Sequence, residues 1–143
     1  MNKIKSKILV TGGAGYIGSV LINELIKKNY DVTILDNFLF NQKKIVKKIL
    51  KNKTKIIDGD VRNSKLIKKT VKDFDIIIPL AAIVGAPLCS KKPRLTKSVN
   101  VESVKKLIRH LSKDQKIIVP TTNSGYGIGK KDDYCTEKSP LRP

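Results

Sequence analysis

Residues Thr11 to Gly18 read TGGAGYIG, which sets Gly12, Gly15 and Gly18 at three-residue intervals between a run of aliphatics and an apolar helical pattern. Ile8, Leu9 and Val10 have the composition of a buried parallel strand. Tyr16, Ile17, Val20, Leu21 and Leu25 recur at helical spacing just beyond, so the glycines fall at a strand-to-helix turn. In that setting each glycine has a task. Gly12 allows the tight turn, Gly15 lets backbone approach a pyrophosphate, and Gly18 lets the helix pack closely on the strand. The N–H groups at the helix N-terminus then face an anion, which makes the motif a phosphate cradle. Standing alone, the segment could also be a glycine-rich turn with no ligand.

The rest of the chain supports the cradle by its order. Strand-like runs at Lys7 to Thr11, Asp31 to Leu35, Lys55 to Ile57, Asp75 to Leu80 and Lys116 to Pro120 alternate with helical stretches near Gly15 to Lys28, Gln42 to Lys51, Ser64 to Lys72 and Leu95 to Leu111. Such alternation predicts an α/β fold with a parallel sheet. Right-handed crossovers make the economical arrangement a doubly wound, Rossmann-type sheet in the order 3-2-1-4-5, with ligands at the carboxyl ends of the strands. At 143 residues the chain is expected to be one cofactor-sized domain, short for an enzyme with a separate substrate lobe. From residue 123 to 143 the character is that of a loop-rich tail, rich in Gly, Ser, Asp and Pro, and nothing there completes a sheet.

Composition narrows the function classes. Lys and Arg total 30 against 12 Asp and Glu, a formal charge of +18. A nucleic-acid surface would gather basic residues on one face with aromatics interleaved, whereas these lysines are scattered through every helical stretch and aromatics are few, so nucleic acid is not the expected partner. A basic rim that steers a phosphorylated substrate remains open. So does a compositional bias that coats solvated helix faces with lysine. Cys89 and Cys135 are isolated, with no CxxC or Cys/His cluster, so neither a metal site nor a disulfide framework is expected. His110, the only histidine, falls in the lysine-rich end of a helical stretch, where a capping or surface role is expected. No apolar run approaches the roughly 18 to 20 residues of a membrane span, and no signal-peptide apolar region precedes the first strand. A soluble, cytoplasmic protein is the expectation.

At the end of the second strand Asp36 lies 18 residues after Gly18, where a dinucleotide fold presents a carboxylate to the adenosine ribose. A 2′-phosphate would be repelled there and no arginine follows immediately, so NAD is preferred over NADP. Asp60 and Val61 follow the third strand in the run Asp58-Gly59-Asp60-Val61-Arg62-Asn63, placing a carboxylate beside a backbone N–H for the adenine edge. Leu80, Ala81 and Ala82 end the fourth strand with small and apolar residues that allow close approach to a dinucleotide.

Together these landmarks resemble the extended short-chain dehydrogenase/reductase superfamily, in its NAD-dependent nucleotide-sugar epimerase/dehydratase branch. The resemblance spans almost the whole chain. It rests on TGGAGYIG at Thr11 to Gly18, Asp36-Asn37, GDVR at Gly59 to Arg62, PLAA at Pro79 to Ala82, Asn100 within SVNVES, and TTNSGYG at Thr121 to Gly127. It implies that Gly12, Gly15, Tyr16, Ile17, Gly18, Asp36, Asn37, Asp60, Val61, Leu80, Ala81 and Ala82 form the NAD site. Asn100 matches the family's helix-embedded asparagine, structural or on the cofactor side. Thr122 matches its active-site Ser/Thr, whose hydroxyl steadies the reacting sugar oxygen. Two positions depart from the pattern: Pro79 stands where His is common, and Gly125 replaces the usual aliphatic before Tyr-Gly.

The resemblance also implies a catalytic Tyr and Lys as YxxxK on a helix, with the Lys facing the Tyr and lowering its pKa. Tyr126 and Lys130 have that spacing but enclose Gly127 and Gly129, which disfavour helix. Tyr134 and Lys138 have it too, yet stand only 12 residues beyond Thr122, closer than the family's spacing. The expected pair therefore falls after Pro143. The reading is the NAD-binding N-terminal portion of a nucleotide-sugar epimerase or dehydratase, without its last strands and substrate lobe. Transient oxidation at sugar C4 and a homodimer are expected of the intact form, and NAD binding with little turnover of the chain alone. A non-catalytic NAD-binding or regulatory module is the alternative, and a basic nucleic-acid-binding protein a more distant one.

Overall fold

The aliphatic runs pair side by side in register. In the computed structural model, which describes residues 6–49, 54–128 and 134–142, β1 (Lys7–Thr11) lies between β2 (Asp31–Asp36) and β4 (Ile76–Pro79). Strand β3 (Lys55–Asp58) flanks β2 and β5 (Lys116–Ile117) flanks β4, so the parallel order is β3-β2-β1-β4-β5. The expected 3-2-1-4-5 topology is the observed one. Thr11 is in register with Leu35 on one side and Pro79 on the other, so three strand ends meet at one level.

Period-two alternation divides the core. Ile8 and Val10, with Val32, Ile34 and Ile78, face Ile22 of α1 (Tyr16–Lys27) and Val46 of α2 (Lys43–Ile49). Leu9, Leu35 and Ile77 face the other way, onto Ile67 of α3 (Ser64–Thr70), Val71 of the short 3-10 turn that follows, Val99, and Leu107 of α6 (Ser103–Arg109). Both faces of the sheet are therefore covered, as parallel sheets require. The switch from one helical layer to the other falls between β1 and β4, whose carboxyl ends open into a crevice.

Two elements differ from expectation. The fifth strand, expected over Lys116 to Pro120, stops at Ile117. Lys116 and Ile118 donate their N–H groups to Asp75 and Ile77, so the next rung would need an N–H from residue 79. That residue is proline, and the ladder ends. The helix expected from Leu95 to Leu111 is a composite: α5 (Pro93–Lys97), a π-helical turn (Ser98–Glu102) and α6, preceded by α4 (Ala86–Lys91). His110 caps α6 at its C-terminus. The helix expected to reach Lys51 runs to Ile49, and residues 50–53 lie outside the described part. Among the described residues no helix is long and apolar enough to cross a membrane.

Candidate functional site

The glycine turn is built where β1 ends between its two neighbours. Gly12 donates its N–H to Leu35 O at 2.8 Å and Leu80 donates to Thr11 O at 2.8 Å, so the turn is tied to both flanking strand ends. Gly12 has φ +69, and a Cβ on it would overlap the backbone of Leu80 and Ala81. Gly18 is buried, and a Cβ there would meet Gly13 Cα at 2.6 Å. Its absence lets α1 settle onto the turn itself rather than onto the strand. Gly15 caps α1 without any side-chain hydrogen bond, so the first N–H groups of the helix have no capping partner. Tyr16 and Ile17, at 89% and 64% exposure, stand out into solvent beside them.

Asp36, the last residue of β2, is buried at 8% exposure. One carboxylate oxygen accepts the Ala14 N–H at 3.0 Å and the other accepts the Phe38 N–H at 2.8 Å. The carboxylate thus braces the glycine turn from across the strand end, a task the sequence pattern did not disclose. Each oxygen keeps a lone pair for a further donor.

The third strand's exit supplies the opposite wall. Gly59 donates to Asp36 O at 3.0 Å, which seats the Asp60-Val61-Arg62 turn beside β2. Arg62 grips Asp60 through Nε at 3.0 and 3.1 Å and Nη2 at 2.6 Å, and its own N–H donates to Asp60 Oδ1 at 2.8 Å. Hydrogen bonding from the Arg62 side chain is the main reason the Asp60 carboxyl is held below its ordinary pKa; burial opposes the shift and the Asn37 amide assists it.

Asn100 lies behind the fourth strand's exit rather than on the crevice. Its Oδ1 accepts the Ile83 N–H at 2.8 Å and its Nδ2 donates to Ile83 O at 2.9 Å. The Cys89 thiol, at 3.4 Å, also points at Ile83 O. Asn100 lies within the π-helical turn, and its amide pairs with one peptide of the loop through both an acceptor and a donor.

These walls border one cleft at the carboxyl ends of the strands, open to solvent on one side. Gly12, Gly15, Asp36, Asn37, Asp60, Val61, Leu80, Ala81 and Ala82 all line it. Tyr16, Ile17, Gly18 and Asn100 do not; the first two flank it at the helix N-terminus and the last two shape it from behind. Sequence reasoning missed Leu39, Phe40, Gln42, Ile83, Leu95 and Val99, which also line it. Only the apolar run Phe38-Leu39-Phe40, flanked on both sides by polar residues, carried a signal.

Thr122 is exposed on the loop after β5 and is not among the residues that line this cleft. Its Oγ1 is 2.8 Å from Ser124 Oγ and accepts the Ser124 N–H at 3.3 Å. Tyr126 ends a short 3-10 turn, and Lys130 lies outside the described residues. Tyr134 and Lys138 are exposed on non-helical backbone, so their spacing does not bring them together on a helix face. The segment that carries them returns to the Thr122 loop, where Arg142 donates to Gly125 O at 2.8 Å.

A glycine turn, a buried carboxylate and an acidic turn border one doubly wound crevice, and the sequence of residues 8–143 matches the model of the NAD dependent epimerase/dehydratase family. The chain belongs to this family. A UDP-glucose 4-epimerase of Lactobacillus helveticus is 33% identical over 96% of the chain, and 41% of that relative's length is matched. A UDP-N-acetyl-alpha-D-glucosaminuronate decarboxylase of Bacillus cytotoxicus is 32% identical over 88% of the chain and 39% of its own length. The structure resembles that of a UDP-glucose 4-epimerase from Bifidobacterium longum in complex with NAD+ and UDP, with 30% identity, a TM-score of 0.82, and coverage of 96% of this chain and 43% of that one. As a family member the chain thus spans about two fifths of the length of the curated relatives it matches.

Proposed function

We propose that the cleft binds NAD and that these residues form the cofactor-holding portion of a nucleotide-sugar epimerase or dehydratase. One observation carries the reading: Gly12, whose missing Cβ leaves the turn open against Ala81, shares a cleft with Asp36 and with the uncapped N-terminus of α1. A pyrophosphate suits unpartnered helix N–H groups. A ribose diol suits a carboxylate with lone pairs to spare, and a 2′-phosphate does not, which favours NAD over NADP. The residues present therefore fit the cofactor.

In this reading Gly12, Gly15, Tyr16 and Ile17 hold the pyrophosphate through their backbone, Asp36 and Asn37 the ribose, Asp60 and Val61 the adenine edge, and Leu80 to Ala82 the far side of the dinucleotide. Gly18 and Asn100 set the positions of these groups. Bound NAD supplies reversible hydride acceptance, which at sugar C4 allows epimerisation or a following elimination. Thr122 would hold the sugar oxygen by its hydroxyl. The UDP-sugar activities named for the relatives support a nucleotide sugar as the substrate class, and in the same reading residues 1–143 are a single NAD-binding domain with a loop-rich 123–143 segment. A cytoplasmic setting and a homodimer belong to the same proposal.

Isothermal titration calorimetry of the 143-residue chain tests it. Saturable binding of NAD, with NADP weaker by tenfold or more, is expected. No heat with NAD at millimolar concentration would overturn the reading. Incubation with UDP-glucose and NAD is expected to yield little or no epimer, because Tyr134 and Lys138 are not arranged as a catalytic pair.

A further inference from the structure

The loop after β2 is an unusual piece of backbone for its composition. Phe38 and Asn41 take left-handed conformations, φ +52 and +56, uncommon for any non-glycine residue and more so for a bulky aromatic. Four consecutive N–H groups are nonetheless satisfied within the loop. Phe38 donates to Asp36 Oδ1 at 2.8 Å, Leu39 to Asn37 Oδ1 at 3.2 Å, Phe40 to Gln42 Oε1 at 3.0 Å and Asn41 to Phe38 O at 2.9 Å. The Phe38 ring is buried at 8% exposure, and Lys43 Nζ lies 5.2 Å over it while bonded to Asp58 at 2.5 Å. The loop is thus held at its base, along its backbone and at its far end.

What this bracing leaves outward is apolar. Leu39 is 54% and Phe40 69% exposed, and both line the cleft. Facing them is the Asp60–Arg62 turn, joined to the loop by Asn37 Nδ2 to Asp60 Oδ2 at 3.4 Å. A rigid loop that presents an aromatic ring across from a fixed polar edge suits a flat heteroaromatic base whose rim bears donors and acceptors.

Resting on the NAD reading, we infer that Phe40, supported by Leu39, is a further cofactor-binding contact that stacks on the adenosine moiety, with Gln42 as a positioning residue that holds the loop open for it. Stacking of a base on an aromatic side chain has a strength that makes its removal cost about tenfold or more in affinity. The clamp acts on the adenosine end alone and leaves the nicotinamide end untouched.

The experiment is calorimetry of the wild-type chain and of Phe40→Ala and Phe40→Tyr with three probes: NAD, ADP-ribose and nicotinamide mononucleotide, the last followed by competition or ligand-observed NMR. Phe40→Ala is expected to weaken NAD and ADP-ribose alike by about tenfold, with the mononucleotide unchanged, and Phe40→Tyr to keep wild-type affinity for all three. Circular dichroism and the thermal midpoint should not move, since the ring is exposed. Unchanged ADP-ribose affinity in Phe40→Ala would overturn the clamp and leave the NAD reading standing. An equal loss for all three probes would also overturn it, by showing a general defect. Absence of NAD and ADP-ribose binding in the wild type would overturn both.

Discussion

The carboxylate of Asp36 reaches across the end of the sheet to the backbone of Ala14, accepting its N–H at 3.0 Å. The second carboxylate oxygen takes the Phe38 N–H at 2.8 Å, so one buried side chain holds the glycine turn on one side and the loop after β2 on the other. Replacing Asp36 by Ala strands two N–H groups, and a buried donor without a partner costs about 1–3 kcal/mol. Asp36→Ala should therefore lower stability by a few kcal/mol, read as a shifted urea midpoint, and weaken NAD by at least tenfold. Asp36→Asn keeps one acceptor but turns an NH₂ toward an N–H, so it should fall between the wild type and Asp36→Ala. A midpoint within about 0.2 M of the wild type for Asp36→Ala would refute the bracing role.

Asn100 and Ile83 form the second such relationship. Asn100→Ala removes both bonds to the Ile83 peptide, and a loss of about 1–3 kcal/mol is expected. Asn100→Asp should be no better, because its second oxygen would face the Ile83 carbonyl. Hydrogen exchange gives the local readout: the Ile83 amide should exchange faster in both variants while amides of β2 keep their protection. Slow exchange at Ile83 in Asn100→Ala would show that the clamp is dispensable.

Two glycines with positive φ separate strain from collision. Gly12 has φ +69 and lies against Ala81 backbone, whereas Gly85 has φ +91 and open space, with no atom within 4 Å of where a Cβ would stand. Gly85→Ala should cost about 1–3 kcal/mol from backbone strain alone. Gly12→Ala adds a backbone overlap that only a shift of the β1 or β4 exit relieves, so it should be several-fold more destabilising and abolish NAD binding. Equal unfolding midpoints for the two variants would contradict this.

The Asp60–Arg62 pair makes a pH prediction. The Arg62 guanidinium holds the folded Asp60 pKa below its ordinary value near 3.8. A carboxyl so depressed contributes stability that is present above the unfolded value and is lost as pH falls through the lower, folded one. Stability from this pair should therefore be flat from about pH 7 to 5 and decline only below about pH 4. Both side chains meet solvent, so the pair should contribute at most about 1 kcal/mol. Carbon-detected NMR titration should show the Asp60 carboxyl moving up in Arg62→Gln. An unmoved titration would mean that Arg62 does not set it.

The glycine spacing, the strand-helix alternation and the carboxylate after β2 were legible in the residues because each is a local rule. Periodicity follows from the backbone repeat, a tight turn from glycine, and the order 3-2-1-4-5 from the handedness of crossovers. Where local rules interact with distant residues, the residues alone were silent. Strand β5 ends early because Pro79, 38 positions before Ile117, lacks the N–H for the next rung. Asn100 faces Ile83 from within a π-helical turn, and no propensity reports that turn.

The sequence by itself determined that this chain is a doubly wound α/β domain with a glycine turn after its first strand and a family pattern, since those depend on spacing along the chain. Only the tertiary structure decided that Asp36 braces that turn, that Leu39 and Phe40 face the cleft, and that Thr122 is not among the residues that line it. Those outcomes depend on which distant backbone groups need partners once the strands have paired, and pairing in space is not written in any one segment.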